Sequence, residues 1–181
     1  MLDINGNGVQ LAGLLTSQAY FDMRGDGFRH QSGWNADAED GFLAYDANSD
    51  GAITSRGELS FTRYVHGAQS DLEGLRAFDT NHDNVLSALD ADWQKFRVWR
   101  DANSNGVSDA GELKTLDEAG IASIGLAVSG PFSVQNGNAI YGYSTVTMAD
   151  ASTRQAADVG LKVSNQVLVT NADGSQSVIP V

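Results

Sequence analysis

Two segments constrain this chain more than anything else in it: DTNHDNVLSALD, from Asp79 to Asp90, and DANSNGVSDAGE, from Asp101 to Glu112. Each places side-chain oxygens at its first, third and fifth positions and a carboxylate at its twelfth. Oxygens two residues apart on a tightly curved backbone converge on one centre, and this is the ligand spacing of an EF-hand calcium loop. The first segment offers Asp79, Asn81, Asp83, the main-chain carbonyl of Val85, and Asp90; the second offers Asp101, Asn103, Asn105, the carbonyl of Val107, and Glu112. Position six must turn sharply, usually through positive φ, and it holds Asn84 in one and Gly106 in the other. Those two residue types tolerate that conformation best. Hard oxygen donors, with no cysteine and no suitably spaced histidines, select Ca2+ over zinc or copper. A lone D-x-N-x-D reads at least as well as an Asx-rich surface turn. Two complete loops whose first positions are 22 residues apart are much harder to obtain by chance.

A third segment sets Asp46, Asn48, Asp50 and the carbonyl of Ala52 in the same alternation, but its acid, Glu58, stands at position thirteen. This loop is expected to be locally widened. Two further segments are incomplete. Asp3, Asn5, Asn7 and Gly8 have the right spacing, yet position twelve is Leu14. Asp22, Asp26 and Gly27 fit, yet position three is Arg24, whose guanidinium cannot ligate a cation; a structural turn with Arg24 bridging carboxylates is expected there. Position eight, where paired loops meet through aliphatic residues, holds Leu86 in one complete loop and Ser108 in the other. That argues against a two-stranded bridge between them.

The formal charge of -12 argues against nucleic-acid binding and against attraction to anionic membrane surfaces. Much of this acid lies in the loops, so three bound divalent ions would halve it and relieve self-repulsion. Without cysteine there is neither a disulfide framework nor thiol chemistry. No basic leader precedes an apolar run, and no stretch approaches the ~20 apolar residues of a membrane span. A monomer without membrane insertion is expected, cytoplasmic or exported by a route other than a cleaved leader.

Around the loops the sequence predicts short helices. Asn35 caps a helix through NADAEDGFLAYD with Phe42, Leu43 and Tyr45 inward, and Leu59, Phe61, Tyr64 and Val65 suggest another after Glu58. Ser70 and Glu73 form a capping box opening a helix toward Asp79. Ser87 with Asp90 starts a helix that puts Leu89, Trp93 and Phe96 on one face, and Asp109 with Glu112 starts a third that Gly120 ends. VQLAGLL and SQAYFDM read as an early hairpin. Beyond Gly120 the pattern is β, with a hairpin at Asn136-Gly137, a closing strand in TRQAADVGLKV and a tail hairpin turning at Asp173-Gly174. The expected class is α+β: EF-hand-like calcium loops with short helices, plus β-hairpins in the amino-terminal and carboxy-terminal parts. The expected organisation is a calcium-binding module over 1–163 and a tail hairpin or linker over 164–181.

No nucleophile elbow, zinc-protease, phosphate-loop or dinucleotide motif is present, and His30, His66 and His82 are scattered. The order of segments is distinctive nonetheless. LDINGNG, YFDMRGDGFRHQSGW, DGFLAYDANSDGAITSRGEL and the block from Phe78 to Leu126 resemble the calcium-dependent self-processing module of the iron-regulated RTX proteins of Gram-negative bacteria, over roughly Leu2 to Val163. The resemblance implies export by type I secretion to the medium or cell surface. It also implies calcium-triggered cleavage of an Asp-Pro bond at the module's amino-terminal boundary, with a lysine-bearing protein as acceptor for Asp-Lys isopeptide ligation. Such a bond would lie just upstream of Met1. Within the 181 residues the only prolines, Pro131 and Pro180, follow Gly130 and Ile179. The chain as given is expected to be the product of that single-turnover reaction or a shortened form, with no catalytic residue assigned; Asp22, Asp26 and His30 are candidate proton donors by position. The competing readings are a calcium-dependent protein-binding module of dockerin type, since the first loop ends in Asp90, and a calcium-stiffened spacer.

Overall fold

A computed structural model describes all residues from Met1 to Val181. Its strands are β1 (Leu11–Ala12), β2 (Tyr20–Phe21), β3 (Arg29–Ser32), β4 (Trp34–Asn35), β5 (Phe42–Tyr45), β6 (Val85–Ser87), β7 (Phe96–Trp99), β8 (Leu113–Thr115), β9 (Ile121–Gly125), β10 (Ser133–Gln135), β11 (Asn138–Met148), β12 (Thr153–Gly160), β13 (Val163–Thr170) and β14 (Gln176–Pro180). Only two α-helices occur, α1 (Arg56–Leu59) and α2 (Asp71–Leu75). The expected α+β class is therefore wrong: the protein is β-rich, and no helix–loop–helix unit surrounds any of the oxygen-rich loops.

All named strand pairings are antiparallel. The largest sheet orders β10-β11-β9-β6 with β12 on the other edge of β11; β14-β13-β3-β2 and β5-β7-β8 form two more, and β1 pairs β4. Along β11 burial alternates strictly from Asn138 to Val146, the signature of a strand with one face on a core. Its hairpin from β10 turns at Asn136 and Gly137, both at positive φ (51° and 85°), the conformation a two-residue hairpin favours.

The sheet β5-β7-β8 separates two hydrophobic cores. Leu43 and Tyr45 of β5 and Phe96 and Val98 of β7 point into a cluster of 17 buried residues; Phe42, Ala44 and Trp99 point into a second of 12. In the first core Tyr45, Phe78 and Phe96 stack with ring centroids 4.7 to 5.1 Å apart. In the second Trp34 lies 4.6 Å from Phe42 and 5.4 Å from Trp99. Burial on both faces explains the unbroken FLAY run. An apolar run with no alternation cannot be told from a buried helix by periodicity alone, and this is how NADAEDGFLAYD was expected to be helical.

Other expected helices fail for related reasons. Asn35 is a strand residue of β4 rather than a cap. After Asp90 a single 3-10 turn, Trp93–Lys95, leads into β7, so Leu89 is 77% exposed while Trp93 and Phe96 are buried. After Glu112 the chain enters β8. The early hairpin is also absent, because β1 pairs β4 and β2 pairs β3. Ser70 does cap α2, its hydroxyl accepting the Glu73 amide, while the Glu73 carboxylate accepts the amide of Gln69 and so does not complete the box. The tail hairpin β13-β14 turns at Gly174 and lies against β3, where Val167 faces His30.

These placements predict that Leu89→Ala changes unfolding free energy by less than about 0.5 kcal/mol. Phe96→Ala should cost roughly 3–5 kcal/mol through the cavity it leaves. Urea unfolding followed by tryptophan fluorescence measures both, and equal losses would contradict the two-core arrangement.

Candidate functional site

Five loops, starting at Asp3, Asp22, Asp46, Asp79 and Asp101, share one backbone conformation. Positions four and six are left-handed in each: Gly6 and Gly8, Gly25 and Gly27, Ser49 and Gly51, His82 and Asn84, Ser104 and Gly106. The cause is the first residue. Its carboxylate turns back and accepts the amide of position six, from Gly8, Gly27, Gly51, Asn84 and Gly106 respectively. Positive φ costs a β-carbon residue roughly 1–2 kcal/mol, which Ser49, His82 and Ser104 bear while these bonds form. Gly106 has a second reason to lack a side chain, since a Cβ there would lie 2.6 Å from the Tyr20 carbonyl oxygen.

In the three loops with a closing acid, that acid folds back onto the start of its own loop. Asp90 accepts the Thr80 amide on Oδ1 and the Ser87 amide on Oδ2, both at 2.8 Å. Glu112 accepts the Ala102 amide on Oε1 at 3.0 Å and the Asp109 amide on Oε2 at 3.1 Å. Glu58, one place late, still closes its loop by accepting the Thr54 amide at 2.8 Å and the Ser55 amide at 3.3 Å. One carboxylate oxygen each from Asp46, Asp50 and Glu58 lies within 4.8 Å of the other two. The Asn48 amide donates to Asp50 and that of Asn81 to Asp83. Asn103 and Asn105 both donate to Oδ2 of Asp109, at 3.0 and 2.9 Å. Asp109, expected at a helix start, instead gathers the asparagines of this loop from position nine. Of the expected carbonyl donors, Val107 also accepts the Asp109 amide at 3.0 Å, and Val85 and Ala52 lie at the same seventh position of their loops.

Position eight shows which loops are partners. Ser108 of the last loop accepts the Ile53 amide on its hydroxyl at 2.9 Å, so the loop at 101 pairs with the loop at 46. Leu86 instead pairs with Ile124 across β6-β9. The loop at 101 is also tied to the core, because the Trp34 indole donates to Oδ2 of the wholly buried Asp101 at 2.7 Å. Burial pushes the Asp101 carboxyl above its ordinary pKa, against the amides of Gly106 and Asn105 and the Trp34 indole, which favour its charge. Asp46 is likewise buried; Arg97 stands 3.7 Å from its Oδ2, and its Oδ1 has no hydrogen-bond partner.

The incomplete loops behave differently. Arg24 bridges no carboxylate; it donates to the Ser164 carbonyl and to Asn165 Oδ1, fastening its turn to β13. His30 is buried and sits 3.0 Å from Asp26. In the first loop, Asn5 and Asn7 donate to Asp37, and the amide of Ile4 donates to Asp40. Burial, with the nearby Asp3 and Asp37 carboxylates, raises the Asp40 carboxyl to about 6.

This amino-terminal edge is held firmly. Leu2 bridges to Gly41 on one side and Ala156 on the other, and the Met1 amine donates to the Ala157 carbonyl at 2.9 Å. A cavity of about 400 Å3 opens beside it, lined in part by Met1, Ser60, Asp71 and Asp158. Burial raises the Asp71 carboxyl, and Asp158 reinforces the shift; the amides of Phe61 and Thr62 and the Ser60 hydroxyl oppose it. Neither carboxyl carries a local motif. They reach this edge only because α2 packs against β12, where Asp158 accepts the Leu72 amide.

Residues 1–162 match the family model described as the SPM domain. The chain is also 36% identical over 170 residues to the iron-regulated protein FrpA of Neisseria meningitidis serogroup C, an alignment covering 91% of this chain and 15% of FrpA. It thus spans a small part of that relative's length. With the family match running through all five loops and both cores, the chain belongs to the SPM domain family.

Proposed function

We propose that this chain is the calcium-binding module of a secreted RTX-type protein, and that it promotes autocatalytic cleavage of an Asp-Pro bond at its own amino-terminal boundary. Support for calcium comes above all from the wholly buried carboxylates Asp46 and Asp101 at the first positions of two loops joined through Ile53 and Ser108. Burying a carboxylate is unfavourable unless it is paired or coordinates a cation, and Asp46 keeps one oxygen without a partner. The donor set, Asp46, Asn48, Asp50, Ala52 and Glu58 with Asp101, Asn103, Asn105, Val107 and Glu112, is all hard oxygen, as is that of Asp79, Asn81, Asp83, Val85 and Asp90. Bound calcium would neutralise these acids and stiffen the loops.

The proposed chemistry belongs to the scissile aspartate itself. Its side-chain carboxylate attacks its own main-chain carbonyl carbon through a five-membered ring; the bond to the proline nitrogen breaks, the nitrogen takes up a proton, and a cyclic anhydride remains. Water opens that anhydride to the acid, or a lysine amine opens it to an isopeptide. The module supplies position and a proton. Leu2, clamped between Gly41 and Ala156, would fix the segment on the leaving-group side. Asp71 would supply the proton, since burial favours its protonated form in the cavity that Met1 lines. Asp71 is preferred to Asp26 and His30, which are engaged with each other, and to Asp22, whose carboxylate accepts the amides of its own turn.

Two measurements test this reading. A fusion carrying an upstream partner and Asp-Pro ahead of Met1 is expected to cleave when calcium is added; an intact, folded fusion after long incubation refutes the function. Asp71→Asn should slow cleavage at least about tenfold without lowering the melting temperature in calcium. The raised Asp71 carboxyl also fixes a sign: its proton is lost as pH rises through its folded pKa, so wild-type cleavage should fall there while that of Asp71→Asn stays flat. For calcium, saturation about 100-fold above Kd adds roughly 2.7 kcal/mol per site. Asp79→Ala or Asp101→Ala should abolish much more of this calcium-dependent stabilisation, read by thermal melting, than Asp22→Ala.

A further inference from the structure

The first loop lacks an acid at its own twelfth position, but the fold brings one from elsewhere. The segment Asp37–Asp40 repeats three of the contacts that positions nine to twelve make in the complete loop at Asp101; the bond from the position-nine amide to the second oxygen of position twelve is missing, which leaves Asp40 Oδ2 free. At position twelve, Asp90 and Glu112 accept the amide of position two, from Thr80 and Ala102; Asp40 accepts the amide of Ile4, position two of the first loop, at 3.0 Å. At position nine, Asp109 accepts both asparagine side chains of its loop on Oδ2; Asp37 accepts those of Asn5 and Asn7 on its Oδ2, at 2.9 and 2.8 Å. The turn joining the two positions is also the same: the Asp40 amide donates to the Asp37 carbonyl at 3.1 Å, as Glu112 does to Asp109 at 3.2 Å.

Tertiary structure explains the meeting. On one side Leu2 bridges to Gly41; on the other the Ala36 amide donates to the Gln10 carbonyl and β1 pairs β4. The chain between Gln10 and Ala36 is looped out, and the two ends close as though continuous. A separate observation points to a ligand. Asp40 is 0% exposed, and its Oδ2, on the carboxylate whose Oδ1 faces the first loop, has no hydrogen-bond partner. Asp3 beside it is buried as well, at 3% exposed. Two buried carboxylates at the entry and exit of an oxygen-lined turn are unfavourable unless a cation sits between them.

We infer that Asp3, Asn5, Asn7, the Val9 carbonyl, Asp37 and Asp40 form a further Ca2+ site, split in sequence between residues 3–9 and 37–40. The inference rests on the calcium reading proposed above. It gives the amino-terminal edge its own metal, next to Leu2, instead of leaving that edge to be ordered from the loops at 46 and 101.

Counting bound calcium by native mass spectrometry and equilibrium dialysis tests it. The Asp37→Asn/Asp40→Asn double variant is expected to bind one ion fewer than wild type, with Asp101→Ala losing a different ion. Asn5→Ala/Asn7→Ala changes only exposed side chains, cannot unfold the core, and should weaken one site at least about tenfold. Unchanged stoichiometry in the first variant, or unchanged affinities in the second, overturns the split site. If Asp101→Ala still loses an ion in that experiment, the calcium reading itself survives; if wild type binds none, both fall.

Discussion

The hydrogen bond from the Trp34 indole to Asp101 is where the two halves of this protein's physics meet. Trp34 is completely buried, ringed by Phe21, Phe42 and Trp99. Asp101 is completely buried too, and its other partners are the amides of its own loop. A hydrogen bond to a buried charge contributes about 1.5–3 kcal/mol, and its loss leaves that charge uncompensated. The loop therefore cannot relax without disturbing the second core, nor can the core loosen without releasing the loop. Trp99 repeats the device on Glu112 at 3.3 Å, so both ends of one loop are anchored to the same aromatic cluster.

From that anchor the coupling spreads through contacts between loops. The loop at 101 meets the loop at 46 through Ser108 and Ile53, and the turn at Asp22 is joined to Ser55 by a parallel bridge and to Arg56 by the Asp22 carbonyl. Gly106 lies against Tyr20 so closely that no β-carbon fits. Loops far apart in sequence thus lie side by side around β2 and α1. β5 and β7 share residues between both cores, and the Leu2 edge is joined to them through Gly41, which directly precedes β5.

The alternation of oxygen-bearing residues in the loops was legible because everything it needs is local. A carboxylate at position one can reach only the amides a few residues ahead, so Asp79, Asn81 and Asp83 dictate the turn wherever it is placed. Left-handed Asn84 follows from the same geometry. Position four was not legible: Ser49, His82 and Ser104 are ordinary residues, and their positive φ comes from the closure of the ring, not from propensity. The α+β expectation failed where apolar runs lacked a period. FLAY is apolar on both faces because its strand divides two cores, a fact that no window of sequence contains. The Ser87–Asp90 and Asp109–Glu112 boxes misled for another reason: a polar residue followed three places later by an acid, the geometry that starts a helix, also closes an oxygen-rich turn, and here strand pairing took the residues that follow.

The sequence by itself determined the chemistry of the loops, the acidic charge, the Asn136-Gly137 hairpin and membership in a recognisable family. These follow from contacts within about a dozen residues, or from segment order. Tertiary structure alone decided that the loop at 101 pairs with the loop at 46, that Asp71 and Asp158 stand beside Met1, and that Asp37–Asp40 faces Asp3–Val9. Each of these brings together residues whose spacing carries no signal, because antiparallel pairing and shared cores, unlike helices and turns, join positions at arbitrary separation.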